Sequence, residues 1–136
     1  MKILLLFSLL SSVIIYSQRR NYFPDSDKTP NCNLIKKGNF TRNEKGNNSF
    51  KVKVRKNRMT EIFGKNDIIV ESKLKMPNKC KFETEIIKIK TKLKDDFIYI
   101  GKKTKYEIVE TGKNSIIYEY WCNEGRNICT EILQKE

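Results

Sequence analysis

No histidine occurs anywhere in the 136 residues of this chain. That absence removes the imidazole general acid or base, the Ser–His and Cys–His nucleophilic pairs, and every imidazole metal ligand. Membrane-length apolar runs are missing too. The apolar run at residues 3–15 is about a dozen residues broken by serines, against the roughly 20 that a spanning helix requires. The four cysteines contain no close C-x2–4-C pair, so the sequence offers no four-thiolate zinc site. One acidic doublet, Asp95-Asp96, supplies too few oxygens for calcium. The sequence thus implies neither metal nor cofactor, and no recognisable catalytic residues.

What is present begins with the layout of a secretory signal peptide over residues 1–17. Lys2 gives a positive start, an apolar stretch follows, and Ser17 offers a small residue at the cleavage point before Gln18. Residues 18–31 are polar, carry Pro24 and Pro30, and read as a flexible leader. Residues 32–136 are then one domain of about a hundred residues. Export, to a periplasm or the extracellular space, makes an even number of cysteines a disulfide framework. Four cysteines allow three pairings. Cys122 and Cys129 flank the turn-like "NEGRNI", which pairs them across a hairpin, and Cys32–Cys80 follows by elimination.

From Cys32 onward the dominant period is two. "SFKVKVRK" places Phe50, Val52 and Val54 on one face and Lys51, Lys53 and Arg55 on the other. "DIIVESKLKM" alternates likewise, with Ile68, Val70, Ser72, Leu74 and Met76 inward. "CKFETEIIKIKTKL" changes phase between Ile86 and Ile87, as a β-bulge or bend would make it do. Strands are also expected over residues 38–42 and 58–63, in "FIYIG" (97–101), "TKYEIVET", "SIIYEYWC" and "NICTEILQ". Turns fall at 56–58, 64–67 and 111–114. Seven to nine short strands, and no apolar stripe at helical spacing, predict an all-β fold: a single antiparallel barrel or sandwich.

Lys and Arg number 28 against 16 Asp and Glu, a formal net charge of +12 of which the signal peptide carries only Lys2. Abundant lysine, asparagine and isoleucine is what an AT-rich coding bias produces, so basicity alone does not identify a partner. Its placement is more informative. "IKIKTKLK" (87–94) sets a lysine at every second position, so Lys88, Lys90 and Lys92 share a face, as do Lys51, Lys53 and Arg55. Together these six predict a cationic surface for an anionic lipid or glycan of the cell envelope, with affinity falling steeply with salt. The competing expectation is a solvated face compensated by outward Glu71, Glu107 and Glu119. No nucleic-acid-binding motif accompanies the basic residues.

A second functional class is a secreted interaction module, an inhibitor or accessory subunit, whose partner would have to be acidic because like charges slow encounter. A third is hydrolysis by paired carboxylates such as Glu83 and Glu85, or Glu107 and Glu119.

Cys32, "KKGNF" (36–40), Arg55, "TEIF" (60–63), "LKM" (74–76) and "CKF" (80–82) fall in an order that resembles a loose group of small exported proteins of Bacteroidetes-type bacteria. Met76 stands where that group usually has tryptophan. The resemblance covers residues 32–82 and implies an antiparallel β-fold with no known activity.

Overall fold

The computed structural model describes residues 22–42, 49–92, 98–123 and 125–136; residues 1–17, expected to be a signal peptide, lie outside them. Eight antiparallel strands follow a short 3-10 helix, η1 (Cys32–Lys36): β1 (Gly38–Thr41), β2 (Phe50–Arg55), β3 (Arg58–Phe63), β4 (Ile68–Asn78), β5 (Lys81–Thr91), β6 (Lys103–Thr111), β7 (Ser115–Cys122) and β8 (Asn127–Lys135). Each strand pairs with the next, and β8 returns to β1 to close the barrel. That seam is short, holding only the pairs Phe40↔Lys135 and Thr41↔Gln134. A barrel of this size has an interior just wide enough to be filled by side chains or to hold one small ligand.

Alternation decides what points inward. β2 is buried at Phe50, Val52 and Val54 and exposed at Lys51, Lys53 and Arg55. The phase change in β5 is a bulge. Glu71 faces Lys88 while Ser72 faces Ile86, which leaves Ile87 as the extra residue and returns Ile89 to the inner face opposite Val70. A second bulge at Val109 separates the pairs Ile108↔Tyr118 and Glu110↔Ile117.

One end of the barrel is closed. Cys32 and Ile35 of η1 are wholly buried among Val54, Met59, Leu74, Phe82 and Ile108. Complete burial of an isoleucine side chain stabilises by about 2–3 kcal/mol. The Cys32–Cys80 disulfide fastens η1 to the β4–β5 turn, and Cys122–Cys129 crosslinks the β7–β8 hairpin at the other end. Both pairings are those expected from the spacing, and two such bonds suit an oxidising compartment outside the cytoplasm. No helix among the described residues is long and apolar enough to cross a membrane.

Residues 22–31 are tied to the end of β6. Glu110 accepts hydrogen bonds from the backbone N–H groups of Tyr22 and Phe23 and from the Ser26 hydroxyl. Thr111, itself buried, donates to Asp27 at 2.6 Å and accepts from the Asn31 N–H at 2.7 Å.

Two local expectations need correction. Tyr99, Ile100 and Gly101 of "FIYIG" are not a strand; they form a turn closed by the Lys102 N–H on the Tyr99 carbonyl, with Gly101 at φ 88°. Tyr99 and Ile100 are largely exposed, so the segment has no face to bury. Second, η1 carries no helical periodicity because its five residues make little more than one turn.

Candidate binding surfaces

The outer wall of β2–β5 carries the basic residues. In the paired registers, one row across the four strands reads Lys51, Ile62, Ile69, Lys90. The next reads Lys53, Thr60, Glu71, Lys88, and the third Arg55, Arg58, Lys73, Glu85. The six residues expected to form one stripe are therefore two files, on β2 and β5, about 14 Å apart at the ordinary strand spacing. Lys51, Lys53, Arg55, Lys88, Lys90 and Lys92 are all exposed. Among the described residues none of them forms an ion pair, although Lys88 stands directly opposite Glu71.

Arg58 and Lys73, which the sequence reasoning passed over, join the two files. With Arg55 they put three cations on directly opposed positions of adjacent strands. Like charges about 5 Å apart repel by roughly 0.8 kcal/mol in water. The fold tolerates that repulsion without an ion-pair partner for any of the three among the described residues. The carboxylates considered for hydrolysis share this outer surface. Glu83 stands between Lys75 and Lys105, and Glu85 between Lys73 and Lys103, as alternating charges across β4, β5 and β6.

The second surface lies inside the barrel, at the end away from η1. Glu61 faces inward opposite Val52 and Val70, both fully or almost fully buried. Glu131 faces inward opposite Tyr118. Arg42, just past β1, reaches across the seam to pair with Glu131 and lies over the Phe50 ring, 4.6 Å from its centroid. Tyr106, Tyr118 and Tyr120 complete the lining. The Tyr106 ring stands edge-on to Tyr118 at 5.3 Å and tilted against Tyr120 at 5.2 Å. Thr84 and Thr104 stand beside the Tyr106 hydroxyl and oppose the upward shift that its burial causes.

Burial dominates the electrostatics here. It pushes the Glu61 carboxyl up from 4.5 to about 7, with the nearby Glu131 charge adding to the shift. The phenols of Tyr106, Tyr118 and Tyr120 are all raised, first by burial and then by these carboxylates. Glu61 has neither a hydrogen-bond nor an ion-pair partner among the described residues. Beside the mouth, a cleft of about 510 Å³ runs along the seam, lined by Tyr22, Phe23, Arg42, Thr130, Glu131 and Gln134 among others. No group of three or more metal-ligating side chains occurs among the described residues.

No family model, no curated protein and no solved structure matches this chain.

Proposed function

We propose that this is an exported, non-catalytic binding domain that engages an anionic component of the cell envelope through the outer wall of β2–β5. One observation carries the reading: Arg55, Arg58 and Lys73 are held on facing positions of three adjacent strands, the first carboxylate of the row, Glu85, stands beyond Lys73 on β5, and none of the three cations forms an ion pair among the described residues. A merely solvated face gains nothing from that repulsion, whereas a polyanion lying across the strands removes it. Lys51, Lys53, Lys88, Lys90 and Lys92 extend the same field on either side, and such a field concentrates anionic ligands near the surface. The wall is convex, which suits an extended polymer or a lipid surface better than a small molecule.

Binding of residues 18–136 to phosphatidylglycerol vesicles and to a carboxylated polysaccharide, titrated across salt, tests the reading and separates its two sources. Two variants are compared, Arg55/Arg58/Lys73→Gln and Lys88/Lys90/Lys92→Gln. Steeply salt-dependent binding that both variants weaken supports the wall as the working surface. Weak binding, equal in all three proteins, overturns it and directs attention to an acidic protein partner.

A further inference from the structure

We propose that the mouth of the barrel is a binding site for a small organic ammonium ion, held by the Glu61 and Glu131 carboxylates against the rings of Tyr106, Tyr118 and Tyr120. The site is independent of the basic outer wall and has the opposite charge.

Charge balance is the first reason. Among the described residues, the inner face at this end carries two carboxylates and one guanidinium. Arg42 is committed to Glu131 and stacked on Phe50, which leaves Glu61 as an unneutralised acid within a strongly cationic chain. Burying a carboxylate without a partner is costly. A cation at Glu61 removes that cost, and among the described residues no lysine supplies it: Lys51 and Lys53 of neighbouring β2 point to the outer face, as does Lys73 of β4.

The second reason is the lining. Three tyrosines clustered within 6.4 Å of one another present aromatic faces and edges beside the acid. Aromatic faces attract ammonium groups, and they do so most strongly where water is excluded. Arg42 over Phe50 already shows one cation held this way in the same mouth.

A third observation is separate from the acids and the rings. The Ser72 hydroxyl is buried, with 1 % of the residue exposed, and has no hydrogen-bond partner among the described residues. It points to the same interior, two residues along β4 from Val70, which faces Glu61. Buried hydroxyls normally find a partner, and a ligand N–H donor reaching this inner face provides one.

Access is built in. Glu61, Phe63, Tyr106 and Tyr120 face inward yet remain partly exposed, while the inner residues nearer η1 are closed off. The seam cleft is separate from these residues and is lined in part by the ion pair of Arg42 and Glu131. The groups facing Glu61 are Glu131 on β8, Arg42 beyond β1, Tyr106 on β6 and Tyr118 and Tyr120 on β7. None of the tyrosines ionises near neutrality, and an ammonium bound at Glu61 displaces that carboxyl's proton to solvent.

The test is calorimetric titration of residues 18–136 with n-butylammonium and tetramethylammonium chloride at about pH 8.5 and about pH 5.5, with n-butanol as the uncharged control. Binding of either cation that is about tenfold weaker at the lower pH, absent for butanol and weakened about tenfold in Glu61→Gln supports the site. Near pH 7 the supporting result includes proton release, seen as a dependence of the heat on the buffer. The Glu83→Gln variant on the outer wall must bind as the parent does. No saturable cation binding, equal binding by Glu61→Gln, or equal binding of butanol overturns the proposal. Circular dichroism of each variant confirms that the barrel has folded.

Discussion

Arg42 and Glu131 are joined by an ion pair across the barrel seam, just beyond Thr41↔Gln134, the last backbone pair between β1 and β8. The pair thus does by side chains what the short β1 can no longer do by main-chain bonds. Its two partners differ in burial: the Glu131 side chain keeps 9 % of its surface exposed and Arg42 keeps 30 %.

Removing Arg42 strands a buried acid next to another. We expect Arg42→Met to destabilise the domain by ~2 kcal/mol, below the cost of breaking a fully buried pair because Arg42 is partly solvated. The double variant Arg42→Met/Glu131→Gln should recover at least half of that loss. Urea denaturation followed by circular dichroism measures both. A single variant as stable as the parent would show that the seam does not depend on this pair.

Glu61 sets a pH dependence of defined sign. Its carboxyl is raised from 4.5 to about 7 in the folded barrel, so between those values the native state holds a proton that the unfolded chain has released. The associated stability is fully present below pH 4.5 and is lost as pH rises through about 7. We expect unfolding free energy to fall over that window by an amount on the order of 3 kcal/mol. Glu61→Gln should flatten the window and be more stable than the parent at alkaline pH. Equal slopes for the two proteins would mean that Glu61 is hydrated and unperturbed.

These interior acids were the least legible part of the sequence. "MTEIF" and "CTEIL" each place a glutamate beside an isoleucine, and a period-two reading that buries the isoleucine exposes the acid. The barrel chooses the other phase. Met59, Glu61 and Phe63 share the inner face, as do Glu131 and Leu133, while Ile62 and Ile132 face outward. Trp121 and Ile128 confirm the inversion: they are paired on the outside and each is more than half exposed. The stretches that read correctly, β2 and β4 from Val70 on to Met76, are those where the apolar side chains keep one phase and charged residues mark the other. The β5 bulge was legible for the same reason, since the phase visibly jumps at Ile86-Ile87. Barrel closure was not, because β1 and β8 meet through two residue pairs almost a hundred positions apart.

The two disulfides should contribute unequally. Cys32–Cys80 spans 48 positions and Cys122–Cys129 only 7. In the chain-entropy account these loops correspond to ~4 and ~2.5 kcal/mol. The longer bridge also holds η1, and with it Ile35, in the closed end of the barrel. Cys32→Ala/Cys80→Ala should therefore cost more than the loop entropy alone and expose apolar surface that binds a hydrophobic dye. Cys122→Ala/Cys129→Ala should lower the denaturation midpoint less and leave the closed end intact. The reverse ranking would show that η1 docks without its crosslink.

The β2–β3 hairpin turns on Lys56 and Asn57, both left-handed at φ 48° and 60°. Two consecutive residues at positive φ make the type I′ geometry that matches strand twist, and Asn-Gly is the pair it prefers. Lysine has no side-chain hydrogen bond to offset the clash of its Cβ in that region, and it is exposed here, so replacing it loses no packing. The bond at the turn from the Leu74 N–H to the Asn57 carbonyl, at 2.8 Å, is made by backbone and survives substitution. Lys56→Asn/Asn57→Gly should stabilise the domain by about 1 kcal/mol, a rise of roughly 5 °C in Tm for a domain of this size. Lys56→Val should act in the opposite sense, because a β-branched side chain is least tolerant of positive φ. Thermal unfolding of the parent and both variants settles the ordering, and a Lys56→Val protein as stable as the parent would rule out a left-handed residue 56.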